Sequence, residues 1–344
     1  MSEQGAAPQL VRMAEVLGHD VQRDAMQRAI LAGRLHHAYL VSGPEGVGRR
    51  RLALAVASLA NCERPEAGDA CGRCGACVRQ ASGQPPDVHL VEPDGRFIRI
   101  DRIRAITQMT NFRPYASRYR FVIIDPVDAM QEAAANALLK TLEEPGGETV
   151  FLLLTSQPHR VLSTVRSRCQ PLRLGALPVG VVEELLVRQG VDGSEAAVLA
   201  RLAAGSPGRA LELRQSPRFA ERGELLDQLV AMPHQSAADL VAVAEWFCRE
   251  KDATEERLVM LGLLVRDAVL VANGQRGRAS QPDLLDGLEE LAQRATTPQL
   301  LSWFSRIEAA RLQLLGNVNP RMLCESLFLE LAATPSGSRE DIRP

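Results

Sequence analysis

Two groups of residues in this sequence have the types and spacing to do chemistry. The first is Cys62, Cys71, Cys74 and Cys77, spaced C-x8-C-x2-C-x2-C. Four thiolates satisfy the tetrahedral preference of Zn²⁺, and close spacing in a glycine-rich segment lets the chain wrap one ion. Gly68, Gly72 and Gly75 are read as the tight turns that such wrapping needs. A complete set of four protein ligands leaves no position for water, so a structural site is expected rather than a catalytic one. Disulfides, free thiols and iron–sulfur binding are the alternatives. Seven cysteines, an odd number, argue against a disulfide framework. Cys169, Cys248 and Cys324 are scattered, the last two in apolar helical contexts that read as core.

The second group is Gly43-Pro44-Glu45-Gly46-Val47-Gly48, which follows an apolar strand pattern and opens a helical one. That context suits a phosphate loop, whose backbone amides and helix N-terminus cradle phosphate oxygens. The two residues after the last glycine should be Lys and Ser or Thr, but here they are Arg49 and Arg50. Arg49 imitates the lysine in part, with a bulkier planar head. Arg50 cannot replace a hydroxyl that ligates Mg²⁺. The run Phe121-Val-Ile-Ile-Asp125 ends in a carboxylate suited to a second metal-binding element. Its successor is Pro126, which carries no base to activate water. Hydrolysis of ATP in this site is therefore not expected, and nucleotide binding would rest on the glycines and Arg49.

Elements that position these groups are legible in the hydrophobic pattern. Strands are predicted at Ala38–Ser42, Val88–Glu92, Arg120–Asp125, Val150–Ser156 and Pro171–Leu174, alternating with amphipathic stretches. One of these, Ala129–Glu144, sets Ala134, Ala137, Leu138 and Leu142 near one face and stops at Pro145-Gly146-Gly147. Such alternation predicts a parallel sheet covered on both faces. After Leu174 the strand signals cease. Two or three short helices are expected to Gln215, then helix throughout to Leu331, with Ser236 and Asn319-Pro320 as caps.

Composition sets limits on function. At 344 residues the chain needs more than one core, and 46% hydrophobic with 24% charged residues is an ordinary globular balance. A net charge of −2 gives no global attraction to nucleic acid. The local clusters Arg49–Arg51, Arg99/Arg102/Arg104 and Arg113/Arg118/Arg120 lack interleaved aromatics and read as solvated faces. No secretory leader or membrane-spanning run is visible, so a cytoplasmic protein is expected.

One stretch makes the reading specific. Ala134-Asn-Ala-Leu-Leu-Lys-Thr-Leu-Glu-Glu-Pro145, with His37-Ala-Tyr-Leu before the glycine loop and Ser167-Arg168-Cys169 after the fourth strand, resembles the bacterial clamp-loader AAA+ ATPases. The likeness is close over the first domain and by layout only beyond it. It implies an AAA+ P-loop domain over 1–175 with an inserted zinc module at 62–77, which cysteines of that family also resemble. It further implies a helical lid over 176–215, an all-α collar over 216–332 and a disordered tail over 333–344. Implied partners are the gamma/tau and delta subunits, with the sliding clamp and primed DNA reached through the complex. Ser167, Arg168 and Cys169 match the triplet that presents an arginine finger, here Arg168, to ATP held by a neighbouring subunit. Thr155 falls at a sensor position and is read as structural. Arg209 lies one residue out of register with the lid arginine and is not assigned. Two competing readings are an active ATPase of the gamma/tau type, which the arginines at 49 and 50 oppose, and a zinc-containing nucleic-acid binder.

Overall fold

A computed structural model describes residues 9–249, 251–314, 316 and 318–333. Beyond Ala333, the tail expected at 333–344 lies outside the described residues. No helix among the described residues is long and apolar enough to cross a membrane.

By packing, the chain divides into two compact units: Met1–Gln189 with Ala204–Arg209, and Gly190–Ala203 with Ala210–Pro344. The first unit runs α1 (Asp20–Leu31), β1 (Ala38–Ser42), α2 (Arg49–Ala60), α3 (Gly75–Ala81), β2 (Val88–Val91) and α4 (Ile100–Thr110). It continues through β3 (Arg120–Ile124), α5 (Glu132–Glu143), β4 (Thr149–Thr155), α6 (Ser163–Arg166), β5 (Gln170–Arg173) and α7 (Val179–Arg188). All five strands pair in parallel, in the order β2-β3-β4-β1-β5. Each expected strand is present to within one residue at either end. β3 and β4 are buried along their whole length, which is why they read as continuous apolar runs. Leu40, Val122, Ile124, Phe151 and Leu153 pack in one cluster with Ile103 and Ile106 of α4 and Leu138 and Leu142 of α5. From Leu52 to Ala60, every residue of α2 is buried.

Two local departures from the sequence reading have physical causes. α5 begins at Glu132 rather than Ala129, because Met130 is drawn into an isolated parallel bridge with Ile98. Ile98 N–H donates to the Ala129 carbonyl at 2.9 Å, and its own carbonyl accepts from Gln131 at 3.3 Å. After a 3-10 turn at Val127–Ala129, these bonds keep Met130 and Gln131 extended, and Glu132 starts the helix. Gly75 does not make a turn: it is the first residue of α3, whereas Gly68 and Gly72 have φ of +78° and +73°. The left-handed turns there are theirs.

The second unit is all helix: α8 (Gly193–Leu202), most of α9 (Pro207–Gln215), α10 (Pro217–Ala231), α11 (Ala237–Phe247), α12 (Lys251–Ala272), α13 (Leu285–Arg294), α14 (Thr297–Leu314) and α15 (Pro320–Ala332). Ser236 caps α11 in a reciprocal capping box with Asp239, and Asn319 caps α15 by accepting from Arg321 N–H at 2.9 Å. A core built on Trp303, Phe247, Phe328 and leucines of α10, α12, α13 and α15 holds the unit together. The segment read as a lid is shared: α7 clusters with the first unit and α8 with the second. Helices of ten residues bury too little surface to form a core alone.

Candidate functional site

The parallel strands end together at one edge of the first unit, and the loops that leave them carry the polar groups. Ser42 closes β1 and leads into the glycine loop. Gly46 and Gly48 take φ of +67° and +103°, which a side chain would resist, and Arg49 then starts α2. The loop is held close against the Gly205–Arg209 segment of the same unit. Gly208 N–H donates to the Gly46 carbonyl at 2.9 Å, and Ser206 Oγ donates to the Glu45 carbonyl at 2.7 Å. A Cβ on Gly46 would come within 2.5 Å of Ser206 Oγ. The His19 ring makes a 3.0 Å hydrogen bond to the Val47 carbonyl.

Arg50 reaches from the first turn of α2 to two strand ends. Its Nε donates to Asp125 Oδ2 at 2.7 Å and its Nη2 to Glu92 Oε1 at 2.5 Å. The register explains the convergence: β2 and β3 pair with Val91 opposite Ile124, so Glu92 and Asp125 leave adjacent strands side by side. Burial works against the Arg50 charge, but hydrogen bonds and attraction from Asp125 and Glu92 outweigh it and raise its pKa. Arg49 behaves differently. Its Nη1 donates back to the Gly43 carbonyl of its own loop, and burial, partly offset by Asp125, Glu45 and Asp128, lowers its pKa. The expectation that Arg49 imitates a phosphate-contacting lysine meets a head group already turned to the backbone. Thr155, at the end of β4, is fully buried and donates to Asp128 Oδ1 while accepting from Gln157 N–H at 2.9 Å. A cavity of about 400 Å³ is lined by Gly46, Gly48, Arg49, Arg50, Leu90 and Asp125 among others. Arg209 is exposed, with its backbone against Gly46.

The triplet lies at the other end of the β4–β5 connection. Arg168 is anchored by its Nε, which donates to Glu143 Oε1 at 2.7 Å, and its Nη2 contacts the same oxygen. Nη1 donates to the Thr164 carbonyl at 2.9 Å and approaches Ser167 Oγ at 3.4 Å. Ser167 is exposed and donates to the Thr164 carbonyl at 3.1 Å. Cys169 turns inward to the β-sheet core, where burial pushes its pKa up to about 12. It is a neutral packing thiol that fixes the depth of the triplet. Arg166 is exposed, and the Arg160 side chain donates to Gln157 Oε1 at 3.3 Å.

The four clustered cysteines come together. Their sulfurs all lie within 4.8 Å of one another, and Cys62 and Cys74 are 3.9 Å apart. A tetrahedral site with metal–sulfur bonds of about 2.3 Å needs sulfurs roughly 3.8 Å apart, so this donor set fits a metal ion with little adjustment. Cys71 N–H donates to Cys62 Sγ and Cys74 N–H to Cys71 Sγ, both at 3.3 Å. The Arg73 and Cys74 amides hold the Cys71 thiol down to about 6. Cys77 is buried and its pKa is raised, chiefly by burial, the shift a bound cation would reverse. The remaining pair differs from expectation in one respect: Cys324 is core, but Cys248 is only half-buried and donates to the Pro320 carbonyl at 3.3 Å.

Two residues that the sequence reading missed help to build these sites. Glu92 could have been found, because Val88–Glu92 and Phe121–Asp125 are both apolar strands ending in a carboxylate. Asp69 ties the cysteine segment to the N-terminal chain, accepting from Met13, Ala14 and Ala70 N–H at 2.8, 3.0 and 2.7 Å.

With this geometry in hand, likeness to known proteins decides the family. Residues 18–178 match the model described as DNA polymerase III, delta subunit, and residues 216–333 match that of its C terminal region. The DNA polymerase III subunit delta' of Bacillus subtilis is 33% identical over 93% of this chain and 95% of its own length. The chain belongs to the DNA polymerase III delta-prime family. The delta' subunit of Escherichia coli is 31% identical over 87% of this chain and 90% of its own length. A gamma/tau subunit of Mycobacterium tuberculosis is 35% identical, but over 56% of this chain and 35% of its own length. The delta' relatives are matched over nearly their whole length, whereas that gamma/tau subunit is matched over about a third of its own.

Proposed function

We propose that this chain is the non-hydrolysing delta-prime subunit of a DNA polymerase III clamp loader and lends Arg168 to ATP bound by a neighbouring gamma/tau subunit. Membership of the delta-prime family over nearly the whole chain supports the subunit role. The observation that carries the non-hydrolysing reading is the Arg50 guanidinium, bonded to Asp125 and Glu92 where a metal-dependent site needs a hydroxyl. Pro126 follows with no side-chain base. In this reading gamma/tau and delta are its assembly partners, and it meets the sliding clamp and primed DNA through the complex. Zn²⁺ is the metal we assign to Cys62, Cys71, Cys74 and Cys77. All-sulfur tetrahedral donation suits it, and four protein ligands leave it a structural role.

Arg168 has the chemistry of a finger. A guanidinium set against a γ-phosphate stabilises the charge that develops during transfer, and a finger supplied in trans is worth about 10³–10⁵ in rate at its site. Its pairing with Glu143 is a solvent-facing one that a phosphate can outcompete, since half of the Glu143 side chain remains exposed. The test is a loader reconstituted with gamma/tau and delta, comparing clamp- and DNA-stimulated ATP hydrolysis for wild type and Arg168→Ala. Loss of one site's share of turnover with assembly intact is the expected result. Unchanged turnover would return Arg168 to surface pairing and leave the chain a scaffold.

A further inference from the structure

We propose that Arg50 is a tethered cation standing where a metal-dependent nucleotide site holds its divalent ion, so that this loop is closed to magnesium-bound nucleotide by charge as well as by missing ligands. The inference deepens the non-hydrolysing reading and rests on it for the comparison with a working site. Its physical basis lies in the geometry of three side chains. Glu92 and Asp125 leave neighbouring parallel strands at matched positions, so two carboxylates face the start of α2. Left alone they would repel each other, and a divalent ion is the usual remedy. Here the Arg50 fork bridges them instead, at 2.5 Å and 2.7 Å, through two different nitrogens.

The groups around the fork are likewise engaged with one another. Arg49 bonds the Gly43 carbonyl, Thr155 bonds Asp128, and Ser206 and Gly208 bond the carbonyls of Glu45 and Gly46. The Arg50 fork already holds the Glu92 and Asp125 oxygens that a divalent ion would take, and Arg49 is set beside it against Asp125, Glu45 and Asp128. A magnesium ion brought in with nucleotide would have to displace the Arg50 fork from both carboxylates and sit beside two guanidinium groups that repel it. Magnesium-bound nucleotide, which the fold family implies, therefore does not fit these residues. The Arg50 bridge ties the start of α2 to the ends of β2 and β3 without any ligand.

The experiment exchanges the tethered cation for a free one. Full-length wild type, Arg50→Thr, Arg50→Lys and the double variant Arg50→Thr/Asp125→Asn are melted in magnesium-free buffer without chelator, which would strip the cysteine site. Each is then melted with millimolar Mg²⁺ at matched ionic strength. Wild type and Arg50→Lys should not respond to magnesium. Arg50→Thr should lose roughly 2–4 °C and recover most of it with magnesium, and the double variant should not recover. If Arg50→Thr fails to fold without magnesium, its refolding yield with and without the ion reads the same effect. An unchanged melting temperature, equal magnesium responses in all variants, or a loss that magnesium does not repair would each overturn the proposal. ATP turnover by the wild-type chain tests the non-hydrolysing reading separately, so failure of one is distinguishable from failure of the other.

Discussion

Arg50 and Arg168 are both held by carboxylates, and the exposure of the partner decides what their removal costs. Glu143 is about half exposed, at 49%, so losing Arg168 leaves a carboxylate that water solvates at once. Asp125 is 14% exposed, and without Arg50 it is stranded beside Glu92. Exposed ion pairs contribute about 0–1 kcal/mol, with solvent screening reducing even that. Arg168→Ala and Glu143→Gln are therefore expected to change the unfolding free energy by less than about 1 kcal/mol, as urea denaturation of the full chain would measure. This matters for the loader assay: a turnover loss in Arg168→Ala then reflects the missing guanidinium and not a damaged fold. A cost above about 2 kcal/mol would mean that the arginine is structural and that the assay must be reinterpreted.

At the scale of elements, what was legible in the sequence followed from local pattern. The five strands, the helix after the glycine loop and the caps at Ser236 and Asn319 are each written in a few consecutive residues. The late start of α5 was not, because it depends on Met130 pairing with Ile98, more than thirty residues away. The Arg50 bridge was also out of reach: it needs the order β2-β3, and a strand's neighbours are not encoded by its own pattern. The cysteine site was legible as a ligand set, but its anchor, Asp69, lies in the gap between ligands and acts on residues 13 and 14. Gly146 is a comparable case. It reads as a helix stop, yet the left-handed residue is Gly147, with φ of +63°. Gly146 is small because α4 ends against it, and a Cβ there would lie 2.3 Å from the Thr110 carbonyl oxygen. Gly146→Ala must push the end of α4 away from the β4 approach, at an expected cost of about 1–3 kcal/mol in urea unfolding. The corresponding change at Gly95, which has a φ of +70° but nothing within 4 Å, isolates backbone strain from collision. If Gly146→Ala costs no more than Gly95→Ala, close approach is not what keeps position 146 small.

Over the whole chain, two separate hydrophobic cores mean that one perturbation need not be felt everywhere. The cysteine ligands, Asp69, the glycine loop and the sheet belong to the first unit, while Trp303, Phe247 and Phe328 organise the second. Removing a metal from the four cysteines should therefore act unequally. Without it, Cys77 returns to a neutral buried thiol, and the segment 62–77 loses the crosslink among its four sulfurs, keeping hydrogen bonds such as those of Asp69 to Met13 and Ala14. The hold of that segment on Met13 and Ala14 through Asp69 then weakens, and so does the packing of the N-terminal chain on α2. Treatment with a strong chelator under reducing conditions should release about one metal ion per chain, read with a colorimetric indicator. Hydrogen exchange should accelerate first in residues 62–81 and in the chain before α1, with α12 and α14 unchanged. Cys77→Ser should reproduce the pattern without chelator. Equal acceleration in the helical unit would mean that the metal supports a core shared across the chain, against the two cores described here. No released metal would leave the cluster as four free thiols and remove the reason for its spacing.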